Sequence, residues 1–365
     1  MNFFFLAAFI LIYCMIHGYL YFSLTHAFDF SWRQKRFFRL VLILLALPFL
    51  IDRLLGGFFF FYPVSSFGIY WFGFIFISVF IFILKDLVSF FVKQKRKLTH
   101  IALALSFLFS AIGFYGAFKP VPVRTVELAS PLIPERLNGL KIIQLSDLHI
   151  DKLKKPESYE ELIHRVNALV PDLIVITGDF NDLRSRAQLE KYVPVFSQFK
   201  ATYGVFAVPG NHEYYNNINL FADFCHKAGI ILLRNQGLRL SNGSFYIAGV
   251  DDSAGWNHKT GKLYLEKTLN GIDRSKPLIL LSHRPYFFDE ASEKGFTVQL
   301  SGHSHNGQLP PVVFIARLIY QYVSGLYSKN GSFLYVSSGT GYVGPPVRLL
   351  TKSEITEVIL KTRRE

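Results

Sequence analysis

Five short blocks in the second half of the chain bring acidic, amide and imidazole groups in a fixed order. They are Asp147-Leu148-His149, Gly178-Asp179, Gly210-Asn211-His212-Glu213, Ser282-His283 and Gly302-His303-Ser304-His305. Each follows directly on a short apolar run, at 142–145, 173–176, 205–208, 278–281 and 298–300, of the length and composition that predict a strand. Ligands of open α/β sheets bind at the carboxyl ends of strands, so groups far apart in sequence can converge there. Two divalent ions about 3.5–4 Å apart can clamp a phosphoryl group and bring the pKa of a bound water from about 15.7 to near 7. A carboxylate has to bridge such ions, and a further imidazole can protonate the departing alkoxide. Imidazole, carboxylate and amide oxygen without thiolate suit Mn, Fe or Zn rather than Cu(I) or an iron–sulfur cluster.

The elements that must carry these blocks alternate strand-like runs with helical patterns, which predicts a layered α/β domain. Ser158 with Glu161 reads as a capping box for a helix running toward Leu169, and Asn242-Gly243 as a hairpin turn. The expected organisation is a membrane region over 1–120, a Pro-rich connector over 121–137 and the α/β domain over 138–365, large enough for one sizeable core.

Of the 365 residues, 51% are hydrophobic and only 18% charged, with 38 Phe. This excludes a disordered protein, and the apolar excess points to lipid. Four apolar runs predict membrane spans near 3–23, 38–60, 67–84 and 99–118. The first lacks the basic n-region of a signal peptide. Asp52 and Arg53 interrupt the second and read as a mutually paired, snorkelling couple. Residues 1–120 hold 11 Lys/Arg against 3 Asp/Glu, and the rest of the chain 28 against 23. The first excess lies in two loops, one with Arg33, Lys35, Arg36 and Arg39, the other with Lys85, Lys93, Lys95, Arg96 and Lys97. The positive-inside rule makes both loops cytoplasmic, so four crossings leave the α/β domain outside the cytoplasm in a multi-pass cell-membrane protein. No basic stripe in that domain suggests dedicated nucleic-acid binding. Two cysteines, Cys14 in an apolar run and Cys225 in the polar part, exclude a disulfide scaffold and predict no intrachain bridge.

Taken singly, an Asp-x-His can be a turn and a lone His a satisfied polar residue. All five blocks together, in order, resemble the calcineurin-like metallophosphoesterase superfamily. The flanking Gln144-Leu145-Ser146-Asp147-Leu148-His149-Ile150, Gly210-Asn211-His212-Glu213-Tyr214-Tyr215 and Gly302-His303-Ser304-His305-Asn306-Gly307-Gln308 resemble its bacterial membrane-anchored branch. The resemblance runs from about Asn138 to the C-terminus. It implies a four-layer αββα sandwich, here preceded by four transmembrane helices. It further implies one metal on Asp147, His149, Asp179 and His305, with Asp179 bridging, and a second completed by Asn211, His283 and His303. His212 would be the acid beside the leaving group. Asn306 stands where related sequences often have Gly, which touches loop shape and substrate fit. Asp182 reads either as a group orienting a ligand His or as a helix N-cap; Glu213 and Arg284 read as solvated or supporting residues rather than as contacts to ligand groups or substrate phosphate. His17, His26, His100, His164, His226 and His258 have no motif support.

The expected activity is hydrolysis of a phosphomonoester or phosphodiester by metal-activated hydroxide, with a lipid or lipid-linked substrate as one candidate. Two alternatives are a pyrophosphatase of a nucleotide-linked lipid precursor and, in another class, a non-catalytic metal-binding membrane sensor. The segment 312–326, rich in Val, Ile, Leu and Tyr with Arg317 its one charge, reads as an apolar wall for an acyl chain or as core packing.

Overall fold

The computed structural model describes residues 3–55, 62–151, 153–255 and 264–363. The chain forms a helical unit of Met1–Lys119 with Leu309–Val312 and Gly344–Leu350, and an α/β unit of Pro120–Gln308, Val313–Val343 and Thr351–Glu365.

The helical unit contains α1 (Phe3–Ala27), α2 (Trp32–Leu55), α3 (Tyr62–Phe91) and α4 (Lys95–Phe118). Among the described residues three stretches are long and apolar enough to cross a membrane: Ala7–Ala27, Ser66–Phe91 and Lys95–Phe118. α2 falls short of that standard, since Arg33, Lys35, Arg36 and Arg39 crowd its first turns and Asp52 lies near its end. Residues 56–60, where the second span was expected to finish, and the Arg53 side chain lie outside the described residues.

α3 is longer than the expected 67–84. Pro63 sits in its first turn, where a missing N–H costs no hydrogen bond. At the other end the expected basic loop from Lys85 is still helical to Phe91. Charge alone does not stop a helix, and Lys85 pairs with Asp86 at 2.6 Å while its Nζ donates to Ser23 Oγ at 2.7 Å. The unit's core joins Leu20, Ile75, Ile77, Ile81, Phe82 and Ala102 to Leu309, Val347 and Leu349. Gly68 lets α3 approach α2 so closely that a Cβ there would lie 2.4 Å from the Phe49 backbone nitrogen. Small residues serve this purpose in lipid, where close backbone packing replaces the hydrophobic effect.

Among the described residues the α/β unit holds twelve strands: β1 (Val123–Ser130), β2 (Lys141–Leu145), β3 (Leu173–Thr177), β4 (Val205–Val208), β5 (Ile231–Leu232), β6 (Gln236–Leu240), β7 (Phe245–Val250), β8 (Leu278–Ser282), β9 (Val298–Ser301), β10 (Gly325–Lys329), β11 (Ser332–Val336) and β12 (Ile355–Thr362). They form two six-stranded sheets, β1-β12-β2-β3-β4-β5 and β10-β11-β9-β8-β7-β6. The centres are parallel and buried on both faces, hence their unbroken apolar runs. Alternation divides β3: Leu173 and Val175 face Ile279, Leu281 and Leu300 of the other sheet, whereas Ile174 and Ile176 face outward.

That outer face is covered by α5 (Glu160–Ala168) and α7 (Ile218–Ala228), which follows a short α6 (Asn211–Asn216); α8 (Phe288–Glu293) packs outside the second sheet. α9 (Val312–Ile319) follows the last histidine block. β1 lies in the Pro-rich stretch, pairing in parallel with β12. The hairpin at Asn242-Gly243 joins β6 to β7. The Ser158 capping box does not form: the Ser158 hydroxyl donates to Lys155 O at 2.6 Å, closing a 3-10 turn that runs directly into α5.

Register sets the site. Leu145 pairs with Ile176 and Ile176 with Ala207, so β2, β3 and β4 end level; Leu281 pairs with Leu300 in the second sheet. The loops after all five strands therefore leave from matching edges.

Candidate metal centre

Past β2, β3 and β9 the backbone turns sharply. Asp147, His149, Asp179, His303 and His305 all take positive φ, between 44° and 75°. Each such non-glycine residue costs of order 1–3 kcal/mol, a cost that clusters at functional sites. Asn306 also has φ 52°, in the left-handed region that Asn tolerates best after Gly. Gly210 is required for close approach, because a Cβ there would lie 2.2 Å from Asp179 Oδ1.

Glu213 ties two loops together. Its fully buried carboxylate accepts from the backbone N–H groups of Asp179 (2.9 Å), Phe180 (2.9 Å), Asn181 (3.2 Å) and Gly210 (2.7 Å). Burial, then the neighbouring Asp179 charge, push its carboxyl up to about 7 against those N–H groups. Glu213→Gln turns an acceptor toward donors as an NH2 group. The loss of roughly 1–3 kcal/mol should lower the Tm of the detergent-solubilised chain by about 3–10 °C. An unchanged Tm would show that the loops hold without it.

The side chains gather into overlapping clusters. Asp147, His149 and His305 offer ligand atoms all within 4.8 Å of one another, and so do His149, Asp182 and His212, and Asp179, His283 and His303. His149 Nε2 lies 3.1 Å from His305 Nε2, and His305 Nε2 lies 3.3 Å from Asp147 Oδ1. His283 Nε2 lies 3.2 Å from His303 Nδ1. Asp179 Oδ2 faces two of these groups, 3.7 Å from His149 Nε2 and 3.3 Å from His283 Nε2. Asn211 follows Gly210 at the start of α6, and its Oδ1 accepts from Arg284 Nη2 at 3.1 Å.

Supporting contacts fix which nitrogen each ring presents. His283 Nδ1 donates to Thr177 O at 2.8 Å, leaving Nε2 toward Asp179. His149 Nδ1 lies 3.2 Å from Asp182 Oδ2, again turning Nε2 inward. Such outer hydrogen bonds set tautomer and ring orientation in metal sites. Asp182 also bonds His212 Nδ1. It caps no helix, since the next one starts at Arg186, so its place is to orient two imidazoles. His303 N donates to Asp147 Oδ1 at 3.1 Å, and Tyr320 stands edge-on to the His303 ring at 5.9 Å.

Carboxylates and imidazoles of the site shift one another's proton affinities. Burial alone would lower His283, but the carboxylates of Asp179 and Asp147 hold it at about 10. Burial likewise opposes, and the Asp182 hydrogen bond with the Asp179 charge overcomes, so that His212 rises to about 9. Burial and the nearby His283 charge push His303 down to about 2. Asp179 falls well below the usual range: its burial, which opposes ionisation, is outweighed by His283, His212 and His149. An imidazolium must lose its proton before it can ligate, so metal uptake should release protons and weaken as pH falls. Titrating Mn2+ into weakly buffered protein should acidify the solution; no proton release would contradict this charge pattern. Asp182→Asn removes the carboxylate that favours the His212 imidazolium. It should move the alkaline limb of the kcat profile to lower pH by about one unit, and an unmoved limb would detach Asp182 from His212.

All of the expected ligands and His212 meet at this edge. Two neighbours were not foreseen. Asp252, buried, holds Arg284 through an Nε–Oδ2 contact of 2.9 Å, which turns that guanidinium toward Asn211. The run Gly249-Val250-Asp251-Asp252 is another acidic pair past a strand end, the signal used for the other five. Tyr320 carries no motif signal.

Carboxylate and imidazole groups at the strand ends of two packed mixed sheets, without thiolate, are a donor set that fits hard to borderline divalent ions. This is a metallophosphoesterase architecture. The family model of calcineurin-like phosphoesterases matches residues 140–307. A "Transmembrane protein with metallophosphoesterase domain" of Danio rerio is 32% identical over 274 residues, covering 72% of this chain and 62% of its own length. Metallophosphoesterases of Campylobacter jejuni and Helicobacter pylori are 35% and 32% identical over 270 and 279 residues. Those matches cover 73% and 75% of this chain, and 70% and 75% of the relatives. The chain belongs to the calcineurin-like phosphoesterase family. It spans less than two thirds of its zebrafish relative, and its apolar helices anchor it to a membrane.

Proposed function

We propose that the chain is a membrane-anchored phosphoesterase that uses two divalent ions, Mn, Fe or Zn, to hydrolyse a phosphomonoester or phosphodiester. The observation that carries the reading is Asp179 Oδ2, which faces His149 on one side and His283 on the other. Asp147, His149, Asp179 and His305 would hold one ion, and Asp179, Asn211, His283 and His303 the other. Ions held there would supply Lewis acidity and hydroxide at neutral pH. His212, protonated and held through Nδ1 by Asp182, presents Nε2 for proton delivery to the departing oxygen. Arg284 positions Asn211 and adds positive charge beside the site.

The lipid phase favours a lipid or lipid-linked phosphoester, because anchoring raises the effective concentration of membrane-borne substrate. In our reading residues 1–119 cross four times, and the α/β unit from Pro120 onward, whose strand β1 occupies the stretch expected as a connector, is the catalytic domain outside the cytoplasm. A reporter fused at the C-terminus tests the side: activity outside agrees, and activity only in the cytoplasm would favour an odd number of crossings and the nucleotide-linked pyrophosphatase. The chemistry itself is tested by giving detergent-purified, metal-loaded chain a panel of soluble and micellar phosphomonoesters and phosphodiesters. Turnover of the micellar esters is expected to exceed that of the soluble ones. A loaded protein inert to the whole panel would make it a non-catalytic sensor.

A further inference from the structure

α9 is apolar on the wrong side for a helix lying on a water-soluble domain. Val313 and Ala316 are buried, yet Phe314, Ile315, Leu318 and Ile319 are 47%, 45%, 87% and 69% exposed. At 100° per residue the exposed set, with Val312, forms one continuous face opposite the buried one, and Arg317 lies at its margin. Arg317 is the sole Asp, Glu, Lys or Arg in 312–326. A helix apolar all round is normally covered, and an exposed apolar patch of this kind marks an interaction surface.

Chain continuity identifies the cover. Leu309–Val312 belongs to the helical unit, Leu309 lies in that unit's apolar core, and α9 begins on Val312. The second excursion, Gly344–Leu350, likewise puts Val347 and Leu349 into the same core and leaves Leu350 66% exposed. A helix that starts on the membrane unit and turns four large apolar side chains outward, with one Arg at the edge, has the make-up of an interfacial amphipathic helix.

We propose that α9 lies in the surface of the membrane carrying α1–α4, with Phe314, Ile315, Leu318 and Ile319 in the headgroup–acyl boundary. The occupant of the face is lipid. Tyr320 follows α9 directly, and its ring stands edge-on to that of His303 at 5.9 Å. The chain thus passes straight from the lipid-facing helix to a side chain beside the metal site, which would bring phosphoesters held in a bilayer to that side. That last consequence rests on the phosphoesterase reading, while the lipid seat does not.

The test is spin labelling of the full chain in phosphatidylcholine–phosphatidylglycerol nanodiscs. Leu318→Cys and Ile319→Cys are made in a Cys14→Ser background, Cys225 being buried, and Lys191→Cys on an exposed surface serves as control. Labels at 318 and 319 should relax more with oxygen than with a nickel chelate, at a depth of about 5–10 Å; the label at 191 should do the reverse. Preference for the nickel chelate at 318 and 319 would place the face in water. Spin–spin broadening between labels at 318 would make the cover a second copy, and either result overturns the proposal. The readout involves no hydrolysis, so an inert enzyme with oxygen-favoured labels would sink the phosphoesterase reading alone.

Discussion

Asp179→Asn is expected to leave the full chain folded but poor in metal, and to cut phosphoester turnover by about 10³-fold. That corresponds to roughly 4 kcal/mol of transition-state stabilisation, the scale expected of metal-ion charge at a phosphoryl group. The size of the effect follows from position. Oδ2 of this buried carboxylate stands between the His149 and His283 nitrogens, so one neutralised charge weakens both halves of the centre at once. Oδ1 meanwhile accepts from His212 N at 2.9 Å, a bond that an amide oxygen can keep, so the loop should survive the substitution. Metal analysis beside kinetics checks the prediction. Full metal content with lost turnover would make Asp179 a participant in the reaction rather than the bridge.

His212→Ala should give the complementary result, retained metal and a fall in kcat of about 10²–10⁴-fold, the usual contribution of a positioned general acid. The backbone N–H that holds Asp179 survives the substitution, and the His212 ring belongs to neither of the two ligand sets proposed above. The loss should shrink for esters with a good leaving group such as p-nitrophenolate, which departs without a proton. An equal loss for alkyl and p-nitrophenyl esters would remove His212 from the acid role.

The contrast between what could be read and what could not has physical causes. The five site strands were legible because parallel, doubly buried strands are short continuous apolar runs, and their ends were marked by residues that little else explains. β1 was hidden in a Pro-rich stretch, since its partner β12 lies more than two hundred residues on and pairing at that range leaves no local trace. Ser158 and Glu161 carried a sound capping pattern, but a 3-10 turn had already absorbed the hydroxyl. The length of α3 was missed because Lys85 and Asp86 look like a loop until their pairing is seen. Neither Leu309–Val312 nor Gly344–Leu350 could be assigned to the helical unit from sequence: Leu309, Val347 and Leu349 are ordinary apolar residues until their neighbours are known. At the site the ligand residues were legible one by one. The left-handed backbone at five of them, and the Glu213 carboxylate that holds two loops, belong to tertiary structure.

The most direct measurement is anomalous scattering from crystals of the full chain grown with Mn2+, recorded on both sides of the manganese edge. The account predicts two peaks about 3.5–4 Å apart, sharing Asp179, with Asp147, His149 and His305 around one and Asn211, His283 and His303 around the other. A single peak, or a pair in which Asp179 touches only one ion, would contradict it.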